Sequence, residues 1–146
     1  MNTSPVQDIA RQSHIAARQL SSTSELKRNL ALSKMADSLE SVKQQLLDVN
    51  AQEVMKARQD GQSAAMIKRL TIDEKVFQYM LSRLRKVAQR PDPLNRILEG
   101  HTNPAGLKVC KKSVPIGVIG IIYESRPNVT TDAAGVCMKS GNAVIL

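Results

Sequence analysis

The chain has 146 residues, 42% of them hydrophobic, and 21 Lys and Arg against 13 Asp and Glu, for a net charge of +8. That length suits one domain, or one domain with part of another, and it can bury a core without disulfides or a metal. A charged fraction of 23% beside 42% apolar excludes disorder of the whole chain.

The opening stretch, MNTSPVQDIARQ, is polar with an early Asp8. It lacks the basic and then apolar regions of a secretory signal. No stretch approaches the roughly 18 consecutive apolar residues of a membrane-spanning helix. The expectation is a cytoplasmic protein with no membrane partner.

Up to about residue 90 the apolar residues keep helical spacing. A first helix is expected over 6–20, with Ile9, Ile15, Ala16 and Leu20 as its apolar members. Ser22-x-x-Glu25 reads as a capping box that opens a second helix. In that helix Leu32, Met35, Leu39, Val42, Leu46 and Val49 recur at alternating steps of three and four, one continuous apolar stripe. Asn50-x-x-Glu53 repeats the capping signature, and Gly61 is placed to end the helix that follows. Ser63 starts a short helix to Leu70. Thr71-x-x-Glu74 reads as a third capping box, for a helix burying Phe77, Met80, Leu81, Leu84 and Val87 or Ala88. Pro91-Asp92-Pro93 stops it.

Residues 91–106 read as connecting chain with at most a turn of helix around Leu94–Leu98. After residue 106 the pattern changes. Leu107 to Val114 alternates loosely, as in a half-exposed strand. Ile116-Gly-Val-Ile-Gly-Ile-Ile122 is nearly all apolar, as in a strand buried on both faces of a parallel sheet. The polar stretch YESRPN follows, then a helical run over 130–139 and a second buried strand from Ala143 to Leu146. Strand, helix and strand in that order form a βαβ unit. The chain stops inside a strand and is therefore expected to be the N-terminal part of a longer protein.

The positive charge is concentrated in residues 1–90, which hold 15 basic and 9 acidic side chains. Nucleic-acid binding is the functional reading of that excess, and a solvated helical surface the bland one. With Phe77, Tyr79 and Tyr123 as its three aromatics, the chain has almost no base-stacking platform, so no nucleic-acid partner is expected. Cys110 and Cys137 have no metal-ligand spacing and read as buried small hydrophobes; His14 and His101 read as solvated or capping residues, so no metal is expected.

The turn after a buried parallel strand is where α/β proteins place ligands. Here it holds Tyr123, Glu124, Ser125, Arg126, Pro127, Asn128 and Thr130. Arg126 offers a planar fork for phosphate or carboxylate, and Asn128 an amide donor for a developing oxyanion. A solvated turn with Glu124 paired to Arg126 fits the same residues. Gly117-x-x-Gly120 lies within the strand and reads as a close-packing device, not as a dinucleotide fingerprint.

The segment VPIGVIGIIYESRPNVTTDAAGVCMKSGNAVIL, residues 114–146, closely resembles the gamma-glutamyl phosphate reductase family of the aldehyde dehydrogenase superfamily. IGVIG, YESRPNVT and KSGNAVIL stand in the family's order and spacing, and the NAQEV and MIKRLTID stretches extend the resemblance across the helical part, weakening before residue 45. It implies NADPH-dependent reduction of L-glutamate 5-phosphate to glutamate 5-semialdehyde, releasing phosphate in proline biosynthesis. In that family a cysteine thiolate attacks the acyl phosphate. The cysteine would lie beyond residue 146, so this chain alone is expected to be inactive. The implied fold is α/β: residues 1–106 as the helical region of the cofactor domain, 107–114 as a strand of an oligomerisation ribbon, and 115–146 as the start of a doubly wound NADP-binding sheet. A homo-oligomer is implied for the full-length enzyme.

Matched onto this turn, Ile122, Tyr123, Glu124 and Ser125 would run under the nicotinamide half of the cofactor. Ungapped alignment puts Arg126 at the superfamily's oxyanion asparagine. A turn of different length puts Asn128 there and leaves Arg126 for a phosphate of substrate or cofactor. Chemistry favours Asn128, a neutral amide that does not pair permanently with a thiolate. A helical interaction module with an α/β docking tail is the alternative from another class.

Overall fold

The computed structural model describes residues 4–146, so the first three residues of the N-terminal reading lie outside it. Helix α1 spans Pro5–Ser21, close to expectation. Ser4 caps it reciprocally with Gln7: the Gln7 amide donates to Ser4 Oγ at 3.3 Å, and the Ser4 amide to Gln7 Oε1 at 3.0 Å.

The next helix, α2, spans Glu25–Ser41, but its cap is Ser24, not Ser22. Ser22 closes α1, its hydroxyl donating to the Gln19 carbonyl at 3.0 Å. Because α1 runs on to Ser21, three residues are left for the link, and the last becomes the cap. The expected continuous stripe is also broken. Val42 interrupts the helix, and α3 restarts over Lys43–Gln59. The interruption turns the stripe off the core: Leu32 is buried, Met35, Leu39 and Leu46 are half-buried, and Val42 and Val49 are exposed. Asn50, expected as a cap, lies inside α3.

Gly61 sits at φ 74°, ending this segment as expected. Helix α4 covers Ala64–Leu70 behind a Ser63 cap. Helix α5 covers Glu74–Gln89, capped by Asp73 and not Thr71; Asp73 Oδ1 accepts from the Val76 amide at 2.7 Å. Thr71 turns back, donating its hydroxyl to the Ile67 carbonyl at 2.8 Å. Phe77, Met80, Leu81, Leu84 and Ala88 line the buried face of α5 as the periodicity predicts.

The core lies where α5 packs between α2 and a later helix, α6, which spans Pro127–Lys139. Leu32, Leu81, Leu84 and Phe77 are its largest fully buried side chains. Each contributes about 1.5–3 kcal/mol through removal of apolar surface from water. Two buried cations tie this layer together. Lys139 Nζ donates to Asn29 at 2.6 Å, Glu25 at 3.1 Å and the Ala88 carbonyl at 3.3 Å, joining α6 to α2 and α5. Arg28 pairs with Asp92 at 2.6 Å, fixing the start of α2 to the chain leaving α5.

Residues 91–106 are not simply connecting chain. Strand β1 spans Ile97–Thr102 and pairs antiparallel with β2, Lys108–Lys112. Both strands of this hairpin are exposed throughout, Cys110 included, so that cysteine is not a core residue. Alternation in 107–114 was visible; its partner strand, carrying Glu99, Gly100 and His101, has no apolar pattern of its own.

Strand β3 covers Val118–Gly120 and β4 covers Ala143–Ile145. They pair in parallel, Val118 opposite Ala143, across the α6 crossover, which is the expected βαβ unit. β3 is shorter and barer than its apolar run suggests: Ile116 and Ile122 are exposed, because among the described residues two strands make up the sheet. A Cβ on Gly117 or Gly120 would meet nothing within 4 Å among the described residues, so close packing does not explain either. Gly117 instead needs its φ of 122°, a conformation open to glycine. Its amide donates to Asn142 Oδ1 at 2.8 Å, locking β3 beside the start of β4.

Candidate functional site

The turn leaving β3 is held by three local devices. Ser125 adopts φ 39°, a left-handed conformation that reverses the chain. Its hydroxyl donates to Met66 Sδ at 2.9 Å, anchoring the turn on α4. The hydroxyls of Tyr123 and Thr130 share a hydrogen bond of 2.5 Å across the first turn of α6. Helix α6 starts three residues earlier than the apolar run indicated, because Pro127 is preorganised for the first helical turn. Arg126 is thereby the N-cap, and Asn128 and Thr130 belong to the helix.

The turn forms one wall of a groove of about 270 Å³, with Tyr123, Ser125, Arg126, Pro127 and Thr130 on that side. The opposite wall comes from α3 and the α4–α5 link and includes Asn50, Glu53 and Ile72. Asn50 shapes that wall. It is 5% exposed, accepts from the Ile72 amide at 2.7 Å and donates to the Leu70 carbonyl at 2.9 Å. This clamp pins the link between two helices onto a third.

The fold does not bring all the predicted residues to one point. Ser125, Tyr123 and Arg126 face the groove; Ile122 and Glu124 project to solvent at the end of β3. Glu124 and Arg126 form no ion pair with each other, and neither side chain has a hydrogen-bond partner among the described residues. Asn128 is turned along α6, its amide donating to Asp132 Oδ2 at 3.3 Å. Asp132 also accepts from Arg83 Nε at 3.3 Å and Tyr79 at 3.5 Å, a small network over α5.

Sequence reasoning missed Met66, Asn50 and Glu53 as parts of this region. For Asn50 and Glu53 the signal was present but assigned to helix capping. Cys137 is buried, and burial pushes its thiol above the ordinary value, the opposite of an activated nucleophile. Among the described residues no His, Cys, Asp and Glu cluster could hold a metal ion, and no helix is long and apolar enough to cross a membrane.

A helical layer leading into a parallel strand, polar turn, helix and strand makes this an α/β chain with part of an aldehyde dehydrogenase-like fold. Two solved structures carry that likeness. A gamma-glutamyl phosphate reductase from Thermotoga maritima superposes with a TM-score of 0.93 at 31% identity, covering 97% of this chain and 34% of that one. One from Saccharomyces cerevisiae gives 0.95 at 29% identity, covering 99% and 37%. Curated relatives agree. The gamma-glutamyl phosphate reductase of Desulforapulum autotrophicum is 45% identical over 143 residues, 98% of this chain and 34% of its own. That of a Thermoanaerobacter species is 48% identical over 137 residues, 94% and 33% respectively. No family model matches the chain. The chain is homologous over nearly its whole length to gamma-glutamyl phosphate reductases, and it spans about a third of the length of these relatives.

Proposed function

We propose that this chain forms part of a gamma-glutamyl phosphate reductase, an oxidoreductase converting L-glutamate 5-phosphate to glutamate 5-semialdehyde and phosphate with NADPH. The observation that carries this reading is the 45–48% identity to such enzymes across nearly the whole chain. On this reading residues 1–106, apart from strand β1 that joins the hairpin, are the helical region of the cofactor domain, and 115–146 open its sheet. The exposed hairpin containing 107–114 would act in homo-oligomer formation. The assignment to the cytoplasm follows from a soluble biosynthetic role.

The residues present suit a nicotinamide cofactor. Ile122, exposed just past the carboxyl end of β3, would offer an apolar shelf for a planar ring, and Ser125 and Arg126, further along the same turn, line the groove with polar and cationic groups. The bound cofactor would supply the hydride. Arg126 would hold a phosphate with its guanidinium fork. Asn128, in the first turn of α6, would turn its amide from Asp132 toward the substrate oxygen as negative charge develops. The attacking thiolate would come from outside these residues, since Cys110 lies on the hairpin and Cys137 in the interior.

The test is a chimera in which this chain replaces the matching third of the Thermoanaerobacter enzyme. It is expected to reduce NADP⁺ with glutamate 5-semialdehyde and phosphate, and to restore growth without proline to cells lacking the reductase. A soluble, cooperatively melting chimera that is inactive, beside an active parent, would overturn the reading.

A further inference from the structure

The pair Asn50 and Glu53 has the spacing of a helix start, yet it lies within α3. The fold spends Asn50 on the buried clamp to Leu70 and Ile72, and leaves Glu53 one turn further on, lining the groove opposite the β3–α6 turn. Glu53 and Arg126 are the two charged residues of that groove, and they come from its two walls. Neither side chain has a hydrogen bond or ion pair among the described residues, although Lys56 follows Glu53 by three positions and Glu124 precedes Arg126 by two. One free carboxylate and one free guanidinium, presented across a cleft of about 270 Å³, suit a small molecule with a cation at one end and an anion at the other.

We propose that Glu53 is a specificity residue that receives the α-ammonium group of the amino-acid substrate, with the phosphate end directed toward Arg126. The inference rests on the proposed reductase activity and deepens it. A free carboxylate selects a substrate with an α-amino group over the same aldehyde without one, because the des-amino compound leaves the Glu53 carboxylate without a counter-charge. Glu53 touches no reacting atom on this account. Its loss therefore acts on binding of the amino-acid end and not on the chemical step.

The experiment uses the chimera and two aldehydes, glutamate 5-semialdehyde and its des-amino counterpart 5-oxopentanoate. Glu53→Gln should raise KM for glutamate 5-semialdehyde about 10- to 150-fold, the range of a lost charge-assisted contact, with kcat held within about twofold. KM for NADP⁺ should stay unchanged, which also reports that the variant is folded, and KM for 5-oxopentanoate should stay level or fall, since no uncompensated carboxylate is left to disfavour it. Glu53→Asp should recover part of the loss. Equal shifts for both aldehydes, or none for either, would overturn the proposal. An unmutated chimera that uses both aldehydes equally well would overturn it while leaving the reductase reading standing. A folded chimera that uses neither would sink the reductase reading and this inference with it.

Discussion

Removing the Asn50 clamp should cost far more than its position on an outer helix suggests. The side chain is 5% exposed and satisfies two main-chain groups, the Ile72 amide at 2.7 Å and the Leu70 carbonyl at 2.9 Å. Ile72 is itself 8% exposed, so its amide has no ready route to water. Orphaning a buried donor costs about 1–3 kcal/mol, and loss of the second bond about 0.5–1.5 kcal/mol. Asn50→Ala should therefore destabilise the chain by about 2–4 kcal/mol, a large share of the roughly 5–15 kcal/mol typical of a domain. With a urea m-value of about 2 kcal/mol/M, in the middle of the usual range, the midpoint should fall by about 1–2 M at constant m. Asn50→Asp keeps the acceptor for Ile72 but faces the Leu70 carbonyl with a second acceptor, and should lose stability without a cavity. Urea unfolding followed by circular dichroism reads both. A midpoint for Asn50→Ala within about 0.3 M of the unmutated chain would refute the reasoning, since it would mean that water replaces the clamp freely.

Thiol labelling of the native protein should modify exposed Cys110 rapidly and Cys137 only on unfolding; equal rates would contradict the burial of Cys137. Hydrogen bonds from Lys43 and then Gln78 hold the Glu74 carboxyl below its ordinary value of 4.5, so its contribution to stability is present above that value and lost as pH falls through the lower folded value. Lys43→Met should move the Glu74 titration back toward 4.5 by NMR; an unmoved titration would show that the Lys43–Glu74 contact of 2.8 Å does not persist in solution. In the chimera, Asn128→Ala should lower kcat about 10²–10³-fold with little change in KM, whereas Arg126→Ala should raise KM for phosphate about 10- to 150-fold. The reverse pattern would place the oxyanion donor at Arg126.

Helix faces dominated by core packing were legible in the sequence. The face of α5 carrying Phe77, Met80, Leu81 and Leu84 was visible because burial demands apolar residues at helical period, whatever partner covers them. The βαβ order was legible for the same reason. The hairpin was not, because nothing in Ile97–Thr102 alternates: both faces of β1 meet solvent, so no constraint shapes its sequence. The interruption at Val42 was hidden by a stripe that looked unbroken, since an apolar residue at a helix junction keeps its place in the count while losing its place in the core.

Capping signatures fail for a different reason, one that also decides what could be seen of the site. Ser, Thr, Asn and Asp bond to any nearby main-chain group, and the same residue serves as a start, a stop or a tertiary tie. Thr71 and Ser22 back-bond to helices that precede them, each two positions from the true cap. Asn50 reaches the Ile72 amide 22 positions away, and no local rule registers a partner at that distance. Glu53 was hidden with it: once the pair was read as a helix start, its carboxylate already had an occupation. Arg126 stood out because it follows a recognisable strand, and topology alone marks that turn as a place for ligands. The half of the groove carried by the strand–turn–helix unit was thus visible from sequence. The half carried by α3 became visible only when the fold set Glu53 across from Arg126.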